Sequence, residues 1–235
     1  MILIVDNRID SVSERALLKD GHYLIKMPKD RSLPDAVASH PDTVMFCSGR
    51  EIITTADYCD EAAYIFSDLR ELAPDVRISF TAETRGRSYP KDCIMNALVI
   101  GKDIFCKADT VSEGIKDFAA RWGLKIINVK QGYPACSVLH FGNSAITSDE
   151  GLARVMSERG IKVTLISSGH ISLPPYEYGF IGGAGGVVGR KVYFFGDINT
   201  HPDCERICSA IRDEGYIPVS LSDGELSDLG GIIAL

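Results

Sequence analysis

Cys136 is followed four residues later by His140, the nearest approach in this chain to a thiol–imidazole pair. Such a pair raises the thiolate fraction and makes the sulfur a nucleophile. Residues four apart on a strand share a face but lie about 13 Å apart, so a direct hydrogen bond would need a bent strand. His170, in the loop that follows the next helix and strand, is the easier partner. Cys136 and His170 are therefore the catalytic candidates, with a buried small thiol as the alternative. His201, Cys204 and Cys208 have the spacing of a helical metal face. The cysteines coincide with the apolar stripe of Ile207 and Ile211, and the histidine falls in a capping turn, so neither metal nor cofactor is assigned.

Three carboxylates lead into apolar runs: Asp42 in His40-Pro41-Asp42, Asp92 in Pro90-Lys91-Asp92, and Asp228 near the C-terminus. Carboxylates so placed grip an ammonium or a planar guanidinium, or else serve as turn and cap acceptors. With Asn96, Tyr133, Glu177, Gly182 and Gly183 they form the candidate ligand-binding set. The loop Thr81–Asp92 carries Arg85, Arg87 and Lys91, which suit either a small anion or plain solvent.

The elements that must position these groups are read from the glycines. Gly182 to Gly186 suggest a phosphate cradle, but a cradle needs a helix opening directly behind it. Here an apolar run, Val192–Phe195, follows instead, and Gly189-Arg190 reads as a two-residue hairpin turn. Ser48-Gly49-Arg50, Ile100-Gly101-Lys102 and Phe141-Gly142-Asn143 repeat that turn, with intervals of 52, 41 and 47 residues between the glycines. A pattern at such a period marks an array of one supersecondary unit. Each turn is followed by a strand, a helix and a strand. The missing fifth turn falls on the chain ends, so Gly231–Leu235 is expected to pair with Met1–Val5. The expectation is an α/β fold of five ββαβ units, a single domain over residues 1–235, with units near 1–42, 43–92, 93–135, 136–184 and 185–235. Helix caps are expected at Asp10 or Ser11, at Ser148 and at Thr200, and Trp122 is expected as a core anchor.

Composition narrows the partners. Against 25 basic residues stand 32 acidic ones, a net charge of −7, which leaves no broad basic surface for nucleic acid or an anionic membrane. The opening MILIVDNRID lacks the charged start of a secretory signal, and no apolar run reaches a membrane span. Seven cysteines without framework spacing suit reduced thiols in a cytoplasmic protein. A small-molecule ligand is the expected partner, and a homo-oligomer remains open.

Five such units closed into a ring resemble the pentein fold, the α/β propeller of the guanidino-group-modifying superfamily. The phrases YPKDCIMNALVIG, GYPACSV, SSGHISLPPYEYGFIGGAGG and LSDLGGIIAL are similar to an uncharacterised bacterial subfamily of it. The resemblance implies chemistry at the ring centre. There a cysteine near the chain end attacks a guanidinium carbon, a histidine moves protons and carboxylates hold the substrate nitrogens. In this sequence Ala234 stands where that cysteine belongs, and Tyr133-Pro134-Ala135-Cys136 stands where the histidine belongs. The expected function is binding of a small amino-acid-like, guanidino or amine ligand at the centre. One alternative is an amidinohydrolase- or deiminase-like C–N hydrolase with Cys136 as a relocated nucleophile. The other is a non-enzymatic interaction module.

Overall fold

The computed structural model describes all 235 residues. Its β structure is divided among five three-stranded sheets. In chain order the elements begin β1 (Ile2–Asp6), α1 (Ser11–Lys19), β2 (Tyr23–Met27), α2 (Pro41–Val44), β3 (Met45–Ser48), β4 (Glu51–Thr55), α3 (Ala56–Glu61), α4 (Ala63–Leu72) and β5 (Arg77–Thr81). There follow β6 (Leu98–Ile100), β7 (Asp103–Cys106), α5 (Glu113–Arg121), β8 (Lys125–Asn128), α6 (Pro134–Ser137), β9 (Val138–Phe141) and β10 (Ser144–Thr147). The chain ends with α7 (Glu150–Glu158), β11 (Lys162–Leu165), β12 (Gly185–Val188), β13 (Lys191–Phe194), α8 (Cys204–Asp213), β14 (Ile217–Ser220) and β15 (Ile233–Ala234).

Four of the sheets are built alike. A first strand pairs antiparallel with the second through a two-residue turn, and a helix then carries the chain over to a third strand parallel to the second. The turns are those expected. Ser48 pairs with Glu51, Ile100 with Asp103, Phe141 with Ser144 and Val188 with Lys191, leaving Gly49, Gly101, Gly142 and Gly189 as first turn residues with φ between 56° and 60°. Only that position has positive φ, the type II′ arrangement whose twist matches the strands. In the fifth sheet β15 supplies the antiparallel strand from the other end of the chain, pairing Leu3 with Ala234 and Ile4 with Ile233.

Burial follows position in the sheet. The middle strands β4, β7 and β10 are buried along their whole length, whereas the third strands β8, β11 and β14 are largely exposed. Middle strands covered on both faces read as continuous apolar runs, as in Ile52-Ile53 and Ile104-Phe105. Helices pack one stripe inward, such as Ile115, Phe118 and Ala119 of α5. No helix is long and apolar enough to cross a membrane, and all seven cysteines are unpaired thiols.

Several local expectations shift. Asp10 caps α1, accepting from the amides of Val12 and Ser13 at 2.8 and 3.0 Å. Asp149, not Ser148, caps α7, because its carboxylate reaches the Leu152 amide at 2.8 Å. Thr200 ends a short 3-10 turn capped by Asp197, and α8 opens only at Cys204. Trp122 is not a core anchor, since 60% of it is exposed. It lies just past the last turn of α5, where its ring leans on Phe118 and its indole nitrogen donates to Glu51 Oε1 at 2.7 Å.

The glycines at 182–186 serve close packing. A Cβ on Gly182 would lie 2.4 to 2.6 Å from the carbonyl oxygens of Ala135, Cys136 and Val138, and one on Gly185 would lie 2.1 Å from that of Tyr193. Backbone cannot yield as a side-chain tip does, so Gly182→Ala is expected to cost about 3 kcal/mol or more. Gly224→Ala, with nothing within 4 Å and no positive φ, should be nearly neutral. Urea unfolding of the two variants provides the comparison.

Candidate active site at the sheet ends

The hairpin glycines also index the site. His40, Asp92, Tyr133 and Phe180 each lie nine residues before one of the glycines 49, 101, 142 and 189, and all four border one cavity of about 310 Å³. Asp228, ahead of β15, completes the set. The cavity is walled by further aromatic rings from Tyr176 and Tyr178, and Cys136 and Thr43 reach it from α6 and α2. It is lined by no lysine or arginine.

His40 sits between two carboxylates. Its Nε2 is 3.7 Å from Asp6 Oδ2 and its Nδ1 is 3.7 Å from Asp228 Oδ1, with all three residues at most 2% exposed. Asp6 has a counter-charge in Arg8, whose Nε and Nη2 approach the carboxylate at 3.0 and 2.6 Å. Asp228 has instead two backbone donors, Phe180 at 2.8 Å and Gly230 at 3.0 Å. Glycines make the seat possible: a Cβ on Gly183 would meet Asp228 Oδ1 at 1.9 Å, and one on Gly230 would meet the His40 side chain at 2.3 Å.

Cys136 lies beneath the cavity in a hydrogen-bonded partition. Its Sγ accepts from Asn96 Nδ2 at 3.0 Å, and the same amide donates to the Asp42 carbonyl at 2.8 Å while Asn96 Oδ1 accepts from Ala135 N. Thr43 Oγ1 lies 3.9 Å from the sulfur and donates to Asp42 Oδ1. On the other side of this partition Asp42 borders a second cavity, of about 420 Å³, bounded by the first strands β3, β6, β9 and β12 and by β15.

Of the residues anticipated from sequence, Cys136, Asp92, Tyr133 and Asp228 therefore meet at one cavity. Asp42 belongs to the opposite one, and Asn96 is a buried framework residue. His170 and Glu177 line a third, polar cleft with Thr200 and Glu225, where the His170 ring stands 5.4 Å from that of His201. The pairing of Cys136 with His170 is thus corrected, because the Gly169–Tyr178 loop turns His170 away toward α8. Gly182 packs on backbone and Gly183 on Asp228, so neither offers a free surface to the first cavity. Arg85 is likewise consumed: buried, it pairs with Asp30 and donates to the Val44 carbonyl at 2.9 Å. The residues missed were His40 and Asp6. The fixed offset from the hairpin glycine would have found His40, but nothing local marks Asp6, which ends a strand.

The electrostatics of the partition oppose ionisation. Burial, followed by the charges of Asp42 and Asp228, pushes the Cys136 thiol well above its ordinary value. Burial lifts the Asp42 carboxyl to about 6 and raises that of Asp228, and it lowers His40 despite the two flanking carboxylates. The sign for Asp42 follows from linkage. The folded state keeps its proton to about pH 6, whereas an unfolded aspartate loses it near ~3.9. Stability from this group is full below the unfolded value and is lost as pH rises through about 6. Asp42→Asn should therefore raise the melting temperature above about pH 6 and leave it unchanged near ~4. Thermal unfolding of both proteins across that range measures the difference, which a pH-independent offset would refute.

Dimethylarginine dimethylaminohydrolase from Pseudomonas aeruginosa, solved with citrulline, superposes with a TM-score of 0.57 at 14% identity, covering 94% of this chain and 91% of that one. The inosamine-phosphate amidinotransferase of Streptomyces griseus gives 0.57 at 15%, covering 96% and 79%. The agmatine deiminase of C. jejuni gives 0.51 at 10%, covering 94% and 76%. A search of curated proteins returns no match. The expected pentein fold is thereby borne out, and residues 4–233 match the Family of unknown function (DUF6873). The chain is a member of that family, built on the pentein fold.

Proposed function

We propose that this protein binds a small organic cation, an amine or guanidino compound of amino-acid-like size, in the cavity bordered by His40, Asp92, Tyr133, Phe180 and Asp228. In this reading the five sheets are blades of one ring in a single domain, closed by the pairing of β15 with β1, and the cavity is its centre. One observation carries it. Asp92 and Asp228 are buried at 8% and 2% exposure beside a cavity that has no lysine or arginine, and Asp92 Oδ1 has no hydrogen-bond partner. Buried carboxylates are costly without a counter-charge. His40 supplies little, because burial holds it toward its neutral form. A ligand cation would be that counter-charge, and the rings of Tyr133, Tyr176, Tyr178 and Phe180 suit its face. The structural relatives point the same way, since they include enzymes solved with citrulline or named for agmatine and dimethylarginine.

Thiol chemistry is not part of this proposal. The sequence resemblance sets Ala234 at the position of the terminal cysteine, and Ala234 pairs with Leu3. Reactive thiols sit beside positive charge, whereas Cys136 faces two carboxylates and an amide donor.

Two measurements test the reading. Calorimetric titration with agmatine, arginine and simple diamines should find a ligand whose affinity drops about tenfold or more in Asp92→Asn, and absence of any binding at millimolar ligand refutes it. Iodoacetamide at neutral pH should modify the half-buried Cys59 and Cys204 while sparing Cys136. Rapid Cys136 labelling, read by peptide mass spectrometry, would restore the nucleophile.

A further inference from the structure

The first cavity pairs negative charge with hydrogen-bonding groups that the protein already uses. Asp228 is buried, and its Oδ2 and Oδ1 take the amides of Phe180 and Gly230 at 2.8 and 3.0 Å. Asp92 Oδ1 is unpartnered but closed to solvent, so a ligand feels its charge without touching that atom. Burial, and then hydrogen bonding to Asp92, holds the phenol of Tyr133 protonated. The neutral polar groups of the wall are engaged as well. Gln131 Oε1 accepts from the Tyr133 amide at 3.2 Å and its Nε2 donates to Asp149 Oδ2 at 3.1 Å, while Thr43 Oγ1 donates to Asp42 Oδ1.

The rest of the lining is mostly apolar, and much of it is aromatic. Tyr178 and Phe180 stand edge to face, with centroids 6.5 Å apart and ring planes at 89°, the geometry of a corner. Tyr133 is backed by Tyr89 at 6.1 Å, and Tyr176 is 47% exposed. Elsewhere in the fold aromatic rings are met by the chain's own cations, Tyr58 by Arg85 and Phe118 by Arg121. The four rings of this cavity have no such partner.

A guanidinium or primary ammonium brings several N–H donors, and each that loses water without finding an acceptor carries a penalty. A trimethylammonium head brings none. It spreads its charge over methyl groups, which pack on aromatic faces and respond to carboxylates at a distance. We infer that the first cavity selects methylated amines, a trimethylammonium head above all, over primary ammonium and guanidinium ions, with the methyl groups against the rings of Tyr133, Tyr176, Tyr178 and Phe180. This selectivity rests on the reading of that cavity as a cation site and narrows it.

Choline, ethanolamine and 3,3-dimethylbutan-1-ol separate the contributions, since the second lacks the methyl groups and the third keeps the shape without the charge. Titrated by calorimetry into the full-length protein at neutral pH, choline should bind, with ethanolamine and the alcohol each at least about tenfold weaker. Tyr178→Leu should cost choline about tenfold and leave the alcohol unchanged, and Tyr178→Phe should retain choline affinity. Tyr176→Leu, at an exposed ring, makes the same comparison if Tyr178→Leu does not fold. Ethanolamine or agmatine binding as tightly as choline would overturn the selectivity and leave the cation site standing, as would undiminished choline binding in both leucine variants. Equal affinity for choline and the alcohol would also overturn it. Failure of every cation, agmatine and diamines included, would remove the cation site itself.

Discussion

The seat of Asp228 is the interaction on which the centre of this molecule depends. Its carboxylate takes the amides of Phe180 and Gly230, its own amide donates to the Ser172 carbonyl at 2.9 Å, and the next residues hang from Gly183 through Leu229 and Gly231. The C-terminal segment is thereby fastened to the loop that precedes β12, which lets β15 reach β1. This explains a stretch of sequence that looks wasteful in entropy. Gly179, Gly183 and Gly230 leave the volume that the Asp228 and His40 side chains fill, and any methyl group there would collide with them. The glycine-rich run is thus a mould for two buried ionisable side chains.

That arrangement concentrates negative charge where it is least well solvated. Asp6, Asp42, Asp92 and Asp228 all lie at or near the middle of the fold, and among them Asp6 has a firm basic partner in Arg8. Arg85 is also buried, but Asp30 and the Val44 carbonyl hold it. A protein selected for stability alone would gain from replacing such groups with apolar ones of similar volume. Local partners reduce the cost for three of them: Arg8 for Asp6, backbone amides for Asp228 and a hydroxyl for Asp42. The compensation is incomplete at Asp92 and Asp42, one on each side of the partition. Incomplete compensation distinguishes these two carboxylates from one held in a closed salt bridge, such as Asp103 with Arg159.

Much of the fold was legible because a glycine at positive φ between two apolar runs has one economical meaning, and the turn occurs at Gly49, Gly101, Gly142 and Gly189 alike. The strand-helix-strand order behind each turn followed from ordinary periodicity. Capping positions were less legible, because neighbouring Ser148 and Asp149 are both competent and tertiary context selects between them. Trp122 misled for a related reason. Its size suggested burial, yet it sits one step past the helix stripe, where an indole nitrogen with an acidic neighbour is satisfied at the surface. At the site, Asp92, Tyr133 and Asp228 were legible as residues ahead of first strands. His40 was hidden by Asp42, two residues on and chemically more suggestive, although the turn points them to opposite sides of the partition. His170 and Glu177 were not placeable at all, since the Ser167–Tyr178 loop carries no periodicity from which a direction could be inferred.

The positions ahead of the four hairpins show how one scaffold can vary its chemistry without changing shape. Nine residues before each turn glycine, His40, Asp92, Tyr133 and Phe180 all border the same cavity and differ in what they offer there. A mouth holding a thiol beside cationic groups favours covalent chemistry, because the thiolate is the stable form there. This mouth offers two carboxylates, a buried imidazole biased to neutrality and a ring of aromatic faces. Asp228, one of the two, also opposes ionisation of Cys136, after burial and Asp42. Tight holding of positive charge and thiolate reactivity therefore pull such a site in opposite directions, and the residues present stand against the thiolate.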